Sequence, residues 1–328
     1  MGTIGYDERR RGSFHVIALV SFPISSKYQT KWEEAYPEIQ FHIGSVEDDI
    51  IHQTEILVTY GEDLDADIIA KASKLKWVSV ASAGLEKMPL AELSERGILV
   101  TNAKGIHQIP MSESILAHIL AVKRNLRQIY RQQAEKEWSR KVPQTELAGA
   151  TIVILGPGAI GSAVGGVLKA FGVQTIGVNT SGDSVENMDE TVPMSKLSEV
   201  LPKADIVLSL LPSTEKTHHL FTQEHFLAMK DSAIFMNFGR GDVVAENVLL
   251  QAIQDKELAL AILDVYEEEP LPSNHPFWEM EQVIVSPHVS SHSKNYIPRA
   301  MEIFEYNLKK WLAGETDFRN QIQLEKGY

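Results

Sequence analysis

Three residues in the second half of the chain have the side chains and settings to act together. Arg240 lies in Asn237-Phe238-Gly239-Arg240-Gly241, Glu269 in Asp264-Val265-Tyr266-Glu267-Glu268-Glu269-Pro270, and His288 in Ser286-Pro287-His288-Val289-Ser290. A guanidinium is planar and always charged, and it grips a carboxylate through two parallel N–H···O bonds. A carboxylate beside an imidazole favours the charged ring and fixes its orientation, which suits a proton donor near neutral pH. A cation for a substrate carboxylate and carbonyl, a donor for a developing alkoxide and a partner that holds the donor are what a protein supplies when hydride reduces a 2-keto acid. Taken singly, an arginine or glutamate near a turn is more often a surface charge, so the grouping carries the reading.

Each of the three follows a short apolar run that predicts a strand: Ala233–Asn237, Leu260–Asp264 and Val283–Ser286. In an open α/β sheet, ligands collect beyond such strand ends. The same unit opens with a strand, Ala150–Leu155, that runs into Gly156-Pro157-Gly158-Ala159-Ile160-Gly161 and then a helical segment, Ser162–Phe171. This is the G-x-G-x-x-G dinucleotide turn in its full strand–turn–helix context. Gly156 permits the tight turn, Gly158 admits a pyrophosphate to the backbone, and Gly161 lets helix and strand pack closely. The helix N-terminus offers free N–H groups to phosphates. The next strand, Val173–Val178, ends at Asn179-Thr180-Ser181-Gly182. An acid for the ribose hydroxyls is missing there. Asn179, Thr180 and Ser181 suit either a ribose hydroxyl or a 2′-phosphate, and no arginine stands beside them. NADP and NAD both stay open; the absent carboxylate favours NADP, and the neighbouring Asp183 and Glu186 count against it. Asp264, at a strand end, has two equally weighted roles: bonding a nicotinamide amide, or capping the following turn.

Before this unit, strands are predicted at His15–Val20, Ile39–His42, Glu55–Val58, Trp77–Ala81 and Ile98–Thr101, separated by helical stretches such as Leu64–Ala72 and Pro89–Arg96. A helical pattern from Pro110 to about Lys136 places Ile115, Leu116, Ile119, Leu120, Leu126, Ile129 and Tyr130 on one face. A last helix passes through Ala300, Ile303, Phe304, Leu308 and Leu312 and ends near Gly314. The alternation is that of α/β folds with doubly wound parallel sheets. At 328 residues, two such domains are expected.

A net charge of −13 gives nucleic-acid backbones and anionic membranes no long-range attraction. No apolar stretch approaches the ~20 residues of a membrane-spanning helix. The N-terminal Arg9, Arg10 and Arg11 precede an apolar run too short for a secretory leader, so a cytoplasmic protein is expected. The absence of cysteine excludes disulfides, thiolate nucleophiles and Cys-ligated metals. The histidine pairs His218/His219 and His288/His292 lack a consistent acidic partner spacing, and no metal site is expected.

Together these segments resemble the D-isomer-specific 2-hydroxyacid dehydrogenases over nearly the whole chain after Ser13. The motifs are Ser82-Ala83-Gly84, Val100-Thr101-Asn102, the glycine turn at 156–161, Leu211-Pro212 with Thr217, Asn237 to Gly241, Asp264 to Pro270, and Pro287-His288. The resemblance implies a flavodoxin-like substrate domain made of residues 1–105 and 292–328, with a Rossmann NAD(P)-binding domain, 106–291, inserted in it. The active site would lie in the cleft between them. It implies Arg240, Glu269 and His288 as the catalytic set. The cofactor contacts would be Gly156, Gly158, Ala159, Ile160, Gly161, Asn179, Thr180, Ser181, Leu211, Pro212, Thr217, Phe238, Gly239, Arg240, Asp264 and His288. The backbone of Ser82, Ala83 and Gly84 would hold the substrate carboxylate, with Arg240 and His288. Family members are commonly homodimers, so the segment from Ile115 to Ile129 reads equally as interface or as core of its own chain. The sequence departs from the family at Asn179, where an acid is usual, and at Ser82, where many members have glycine. The expected activity is NAD(P)H-dependent reduction of a small 2-keto acid to a D-2-hydroxy acid. Formate oxidation is not expected, nor is serine-type feedback, since no regulatory domain follows Tyr328. The alternative is a dinucleotide-sensing binding protein of corepressor type, without turnover.

Overall fold

The computed structural model describes residues 16–82, 84–85 and 88–324. The expectations placed on His15, on the arginines at 9–11 and on Ala83 lie outside the described residues. The chain divides into two compact units, one formed by Met1–Ile106 with Lys294–Tyr328, the other by His107–Ser293.

In the first unit, β1 (Val16–Val20), β2 (Ile39–Ile43), β3 (Ile56–Thr59), β4 (Trp77–Val80) and β5 (Leu99–Asn102) form a parallel sheet of order β2-β1-β3-β4-β5. Helices α1 (Ser26–Ala35), α2 (Ala66–Lys71) and α3 (Leu90–Glu95) connect the strands. Side chains alternate across a strand. Ala18, Val20, Ile56 and Val58 therefore join one buried cluster with Trp32, Trp77 and Phe304, whereas Leu19 and Leu57 join another with Ile68, Val78 and Leu93. The last helix, Tyr296–Leu312, belongs to this unit because Phe304 stacks on Trp77 at 5.4 Å and meets Trp32 edge-on at 5.3 Å.

The second unit begins with α4 (Gln108–Lys123) and α5 (Leu126–Glu135), where the sequence pattern predicts one continuous helix. The break falls at Asn125, which takes a left-handed conformation (φ 50°). Asparagine adopts it at low steric cost. The Asn125 side chain secures the corner by donating to Gln128 Oε1 at 2.9 Å and to the Pro143 carbonyl at 3.2 Å. On α4, Ile115 and Ile119 are fully buried with Ile154 and Leu168, so that for these two residues of the segment the reading as core of its own unit holds.

Seven parallel strands follow: β6 (Thr151–Leu155), β7 (Gln174–Asn179), β8 (Glu190–Pro193), β9 (Ile206–Ser209), β10 (Ile234–Asn237), β11 (Leu260–Leu263) and β12 (Val283–Val285). Their order is β12-β11-β10-β9-β6-β7-β8. The chain reverses direction across the sheet between β6 and β9, the switch point where dinucleotides bind in such sheets. All the pairings are parallel, so the carboxyl ends of β6, β9, β10, β11 and β12 lie on one edge. The edge strand β8 has no counterpart in the sequence reading, which looks for longer β-branched runs.

Asp205 ties the amino end of this sheet. Its carboxylate accepts from the Thr151 N–H and from Lys230 Nζ, both at 2.8 Å. Burial alone would raise the Asp205 pKa, but the Lys230 bond and the Thr151 N–H outweigh it and hold the carboxyl below its ordinary value. A group whose folded pKa is depressed adds stability above its unfolded pKa of about 4, and that stability is lost as pH falls through the folded pKa. Asp205→Asn should therefore lower the urea-unfolding free energy at neutral pH by about 1 kcal/mol. The gap from wild type should narrow as pH falls from neutral to below the unfolded pKa of about 4. An equal gap at both ends of that range would refute the charge argument.

Candidate active site

Helix α6 (Ala159–Lys169) begins at the glycine turn after β6. Gly156 has φ +76°, and a Cβ on it would lie 3.0 Å from the Leu210 carbonyl oxygen. A Cβ on Gly161 would lie 3.1 Å from the Gly156 carbonyl oxygen, so this turn closes only around bare backbone. Above Gly158 there is open space instead, with no atom within 4 Å of a Cβ position. An open backbone surface at the start of an 11-residue helix, whose first N–H groups lack helical partners, fits a pyrophosphate. Ala159 and Ile160 form the first turn of that helix.

After β7 the segment folds onto itself. The Asn179 amide donates to the Asp183 carbonyl at 2.9 Å and accepts from the Gly182 N–H at 2.6 Å, while Ser181 Oγ donates to the Asp183 carboxylate at 2.6 Å. Asn179 thus builds the turn with both ends of its amide, and Thr180 is exposed. After β9, Leu211 is buried, and Thr217 Oγ1 donates to the Pro212 carbonyl at 2.6 Å, closing a compact loop.

The Arg240 turn is shaped by a residue to which the sequence reading gave no role. Asn237 donates from its amide to the Arg240 carbonyl at 2.9 Å and accepts from the Gly239 N–H at 3.2 Å. An asparagine two residues before a glycine is the sequence signal for such a side-chain turn. Phe238 is buried, with the His118 ring edge-on at 5.8 Å. Burial holds the His118 pKa below its ordinary value. The glycines flanking Arg240 allow backbones to touch. A Cβ on Gly239 would lie 2.3 Å from the Leu211 carbonyl oxygen, and one on Gly241 would lie 1.9 Å from the Tyr266 carbonyl carbon. The Arg240 turn is thereby pressed between the loops after β9 and β11.

His288 Nδ1 lies 2.8 Å from Glu269 Oε2. The other Glu269 oxygen accepts from the Tyr266 N–H at 3.0 Å. His288 has φ +52°, a conformation that L residues seldom adopt and that must be held by its surroundings. Asp264 does much of the holding. Fully buried, its carboxylate accepts from Ser286 Oγ and, at 3.1 Å each, from the N–H groups of Val289 and Ser290. These bonds go to the loop after β12 and not to the turn that follows Asp264 in the chain. The imidazole and the glutamate remain partly open, with side-chain exposures of 46% and 36%.

In the first unit, Ser82 Oγ lies 3.0 Å from the Gly84 carbonyl in its own loop and 3.2 Å from the Tyr60 carbonyl after β3, so its hydroxyl donates to main-chain acceptors. Among the described residues, no group of three or more His, Asp or Glu side chains is arranged to hold a metal ion. No helix among them is long and apolar enough to cross a membrane.

Residues 116–290 match the family described as D-isomer specific 2-hydroxyacid dehydrogenase, NAD binding domain. The chain belongs to this family. It is 33% identical over 266 residues to a glyoxylate reductase from Thermofilum pendens, covering 79% of this chain and 78% of the relative. It is 30% identical over 289 residues to a D-3-phosphoglycerate dehydrogenase from Methanocaldococcus jannaschii, and that match takes in 86% of this chain but only 55% of the relative's length. Among solved structures, a D-isomer specific 2-hydroxyacid dehydrogenase from Xanthobacter autotrophicus Py2 in complex with NADPH and MES superposes with a TM-score of 0.79 at 26% identity, over 95% of this chain and 99% of the other. The family read from the motifs is thus the one found, and the protein is an oxidoreductase of the NAD(P)-dependent class.

Proposed function

We propose that the protein reduces a small 2-keto acid to the D-2-hydroxy acid, with Arg240, Glu269 and His288 as its catalytic residues. The observation that carries this reading is the His288–Glu269 pair at 2.8 Å, set on the same sheet edge as the Arg240 turn and the glycine turn. NAD(P)H, when bound, supplies the hydride. Gly156, Gly158 and Gly161 admit its phosphates, with Ala159 and Ile160 at the helix start and Leu211, Pro212, Thr217, Phe238 and Gly239 lining the neighbouring strand ends. Asn179, Thr180 and Ser181 flank the ribose. The guanidinium of Arg240 binds the substrate carboxylate, aided by the backbone around Ser82 and Gly84. With Nδ1 committed to Glu269, His288 delivers a proton from Nε2 to the carbonyl oxygen, and the carboxylate steadies the imidazole through the transfer. The missing acid at Asn179 and the NADPH of the Xanthobacter structure favour NADP over NAD. The relatives' names are those of enzymes, which does not favour the dinucleotide-sensing alternative.

The test is the loss of reduced-nicotinamide absorbance with NADH and NADPH separately, against 2-keto acids of rising side-chain size. Turnover is expected, and Arg240→Ala should lower kcat/KM by about 100-fold or more through loss of the carboxylate clamp. Dinucleotide binding without turnover on any keto acid would overturn the assignment. A cytoplasmic homodimer belongs to the same proposal. The dimer has its support in the apolar surface at Tyr130 and Trp138, which are 63% and 92% exposed, and light scattering of the purified chain tests that part.

A further inference from the structure

One buried tyrosine reaches the segments that carry all three proposed catalytic residues. The Tyr266 hydroxyl lies 2.8 Å from the Leu263 carbonyl, at the end of β11, and 3.1 Å from both the carbonyl and the N–H of Ser286, two residues before His288. Its own peptide N–H donates to Glu269 Oε1. Its carbonyl carbon lies so close to Gly241 that a Cβ there would approach to 1.9 Å, which brings in the turn carrying Arg240. These contacts close a ring: Tyr266 N–H to Glu269, Glu269 to His288 Nδ1, the main chain from His288 back to Ser286, and Ser286 to the Tyr266 hydroxyl. Burial pushes the phenol well above its ordinary value, so the hydroxyl stays protonated and donates to one carbonyl while accepting from the Ser286 N–H.

We propose that Tyr266 is a positioning residue for the reduction, its hydroxyl fixing the His288 segment against the loop that presents Glu269. The proposal rests on the reductase reading for its kinetic consequence but not for its structural one. A plain packing role is the competing account, because the Tyr266 ring lies in the same buried cluster as Phe226, Leu263 and Phe277. Tyr266→Phe separates the two, since it keeps the ring and the peptide N–H and removes only the hydroxyl.

The experiment compares wild type, Tyr266→Phe and Phe226→Leu, the last a fully buried change in the same cluster on the short helix Gln223–Leu227. Imidazole ¹⁵N shifts, with the His288 signals identified by their absence in His288→Asn, report which ring nitrogen carries the proton. In wild type at alkaline pH the Nδ1–H form should dominate, held by Glu269. In Tyr266→Phe the shifts should move toward a mixture of the two tautomers. In the same variant kcat should fall about tenfold or more, as sub-ångström misplacement does, with the dissociation constant for NAD(P)H unchanged. Phe226→Leu should lower the melting temperature and leave both readouts in place. Unmoved His288 shifts in Tyr266→Phe overturn the proposal whatever happens to kcat, as does an equal change in Phe226→Leu. If wild type turned over no keto acid, the reductase reading would fall, and the nitrogen shifts would still decide the positioning role.

Discussion

His288→Asn should lower kcat for 2-keto acid reduction by about 100- to 10,000-fold, the range that a general acid contributes. Asparagine is the informative replacement for two reasons. Residue 288 has φ +52°, and asparagine enters this left-handed region far more readily than most residues, so the variant adds little backbone strain. Its amide can still donate toward Glu269 but has no proton to give an alkoxide at working pH. The network that shapes the loop runs through main-chain groups of Val289 and Ser290 and the side chain of Ser286, all held by Asp264, and none of it depends on the imidazole. Dinucleotide affinity, measured by quenching or energy transfer to the bound reduced nicotinamide, should therefore stay within about threefold of wild type, well under a 1.4 kcal/mol change. Turnover near the wild-type rate would remove His288 from the chemistry, and joint loss of affinity and turnover would point to a collapsed loop instead.

Much of this site is legible in the sequence because its parts are local. The turn Gly156-Pro157-Gly158-Ala159-Ile160-Gly161 follows an apolar strand and opens a helix, and the close approach of Gly161 to the Gly156 carbonyl is what that spacing demands. Arg240, Glu269 and His288 each sit just beyond an apolar run, and in a parallel sheet strand ends share an edge, so the strand pattern alone brings them to one side. Less legible are features set by neighbours distant in sequence. Asp264 could be placed at a strand end, but only the fold shows its carboxylate gathering Ser286, Val289 and Ser290 from more than twenty residues away. Asn179 looks like a ribose contact in the sequence, and the fold adds a local role beside that one, in which both ends of its amide build the turn to Gly182 and Asp183. The break at Asn125 is invisible to a helical periodicity that continues across it, because a single left-handed residue changes direction without changing composition. Tyr266 reads as one more apolar residue after a strand; its hydroxyl gains meaning only where β12 lies beside β11.

Gly241→Ala should be among the most damaging single-methyl changes this chain can undergo at the site. The added Cβ would stand 1.9 Å from the Tyr266 carbonyl carbon, 2.0 Å from its oxygen and 2.5 Å from the Glu267 nitrogen. All three are backbone atoms, so no side chain can swing aside, and the loops bearing Arg240 and Glu269 must separate. Overpacking of this kind costs about 1–3 kcal/mol of stability. The larger effect falls on geometry: a displacement of about 1 Å at the reacting groups is worth about 100-fold in rate. Gly149→Ala supplies the comparison, because its Cβ would meet nothing within 4 Å and the strain lies only in φ +78°, ahead of β6 and away from the site. That variant should lose about 1–2 kcal/mol with kcat preserved. Calorimetric melting and steady-state kinetics on both variants separate lost stability from lost alignment. If Gly241→Ala lost no more activity than Gly149→Ala at matched stability, the backbone contact between residues 241 and 266 would not be what aligns Arg240 with the His288–Glu269 pair.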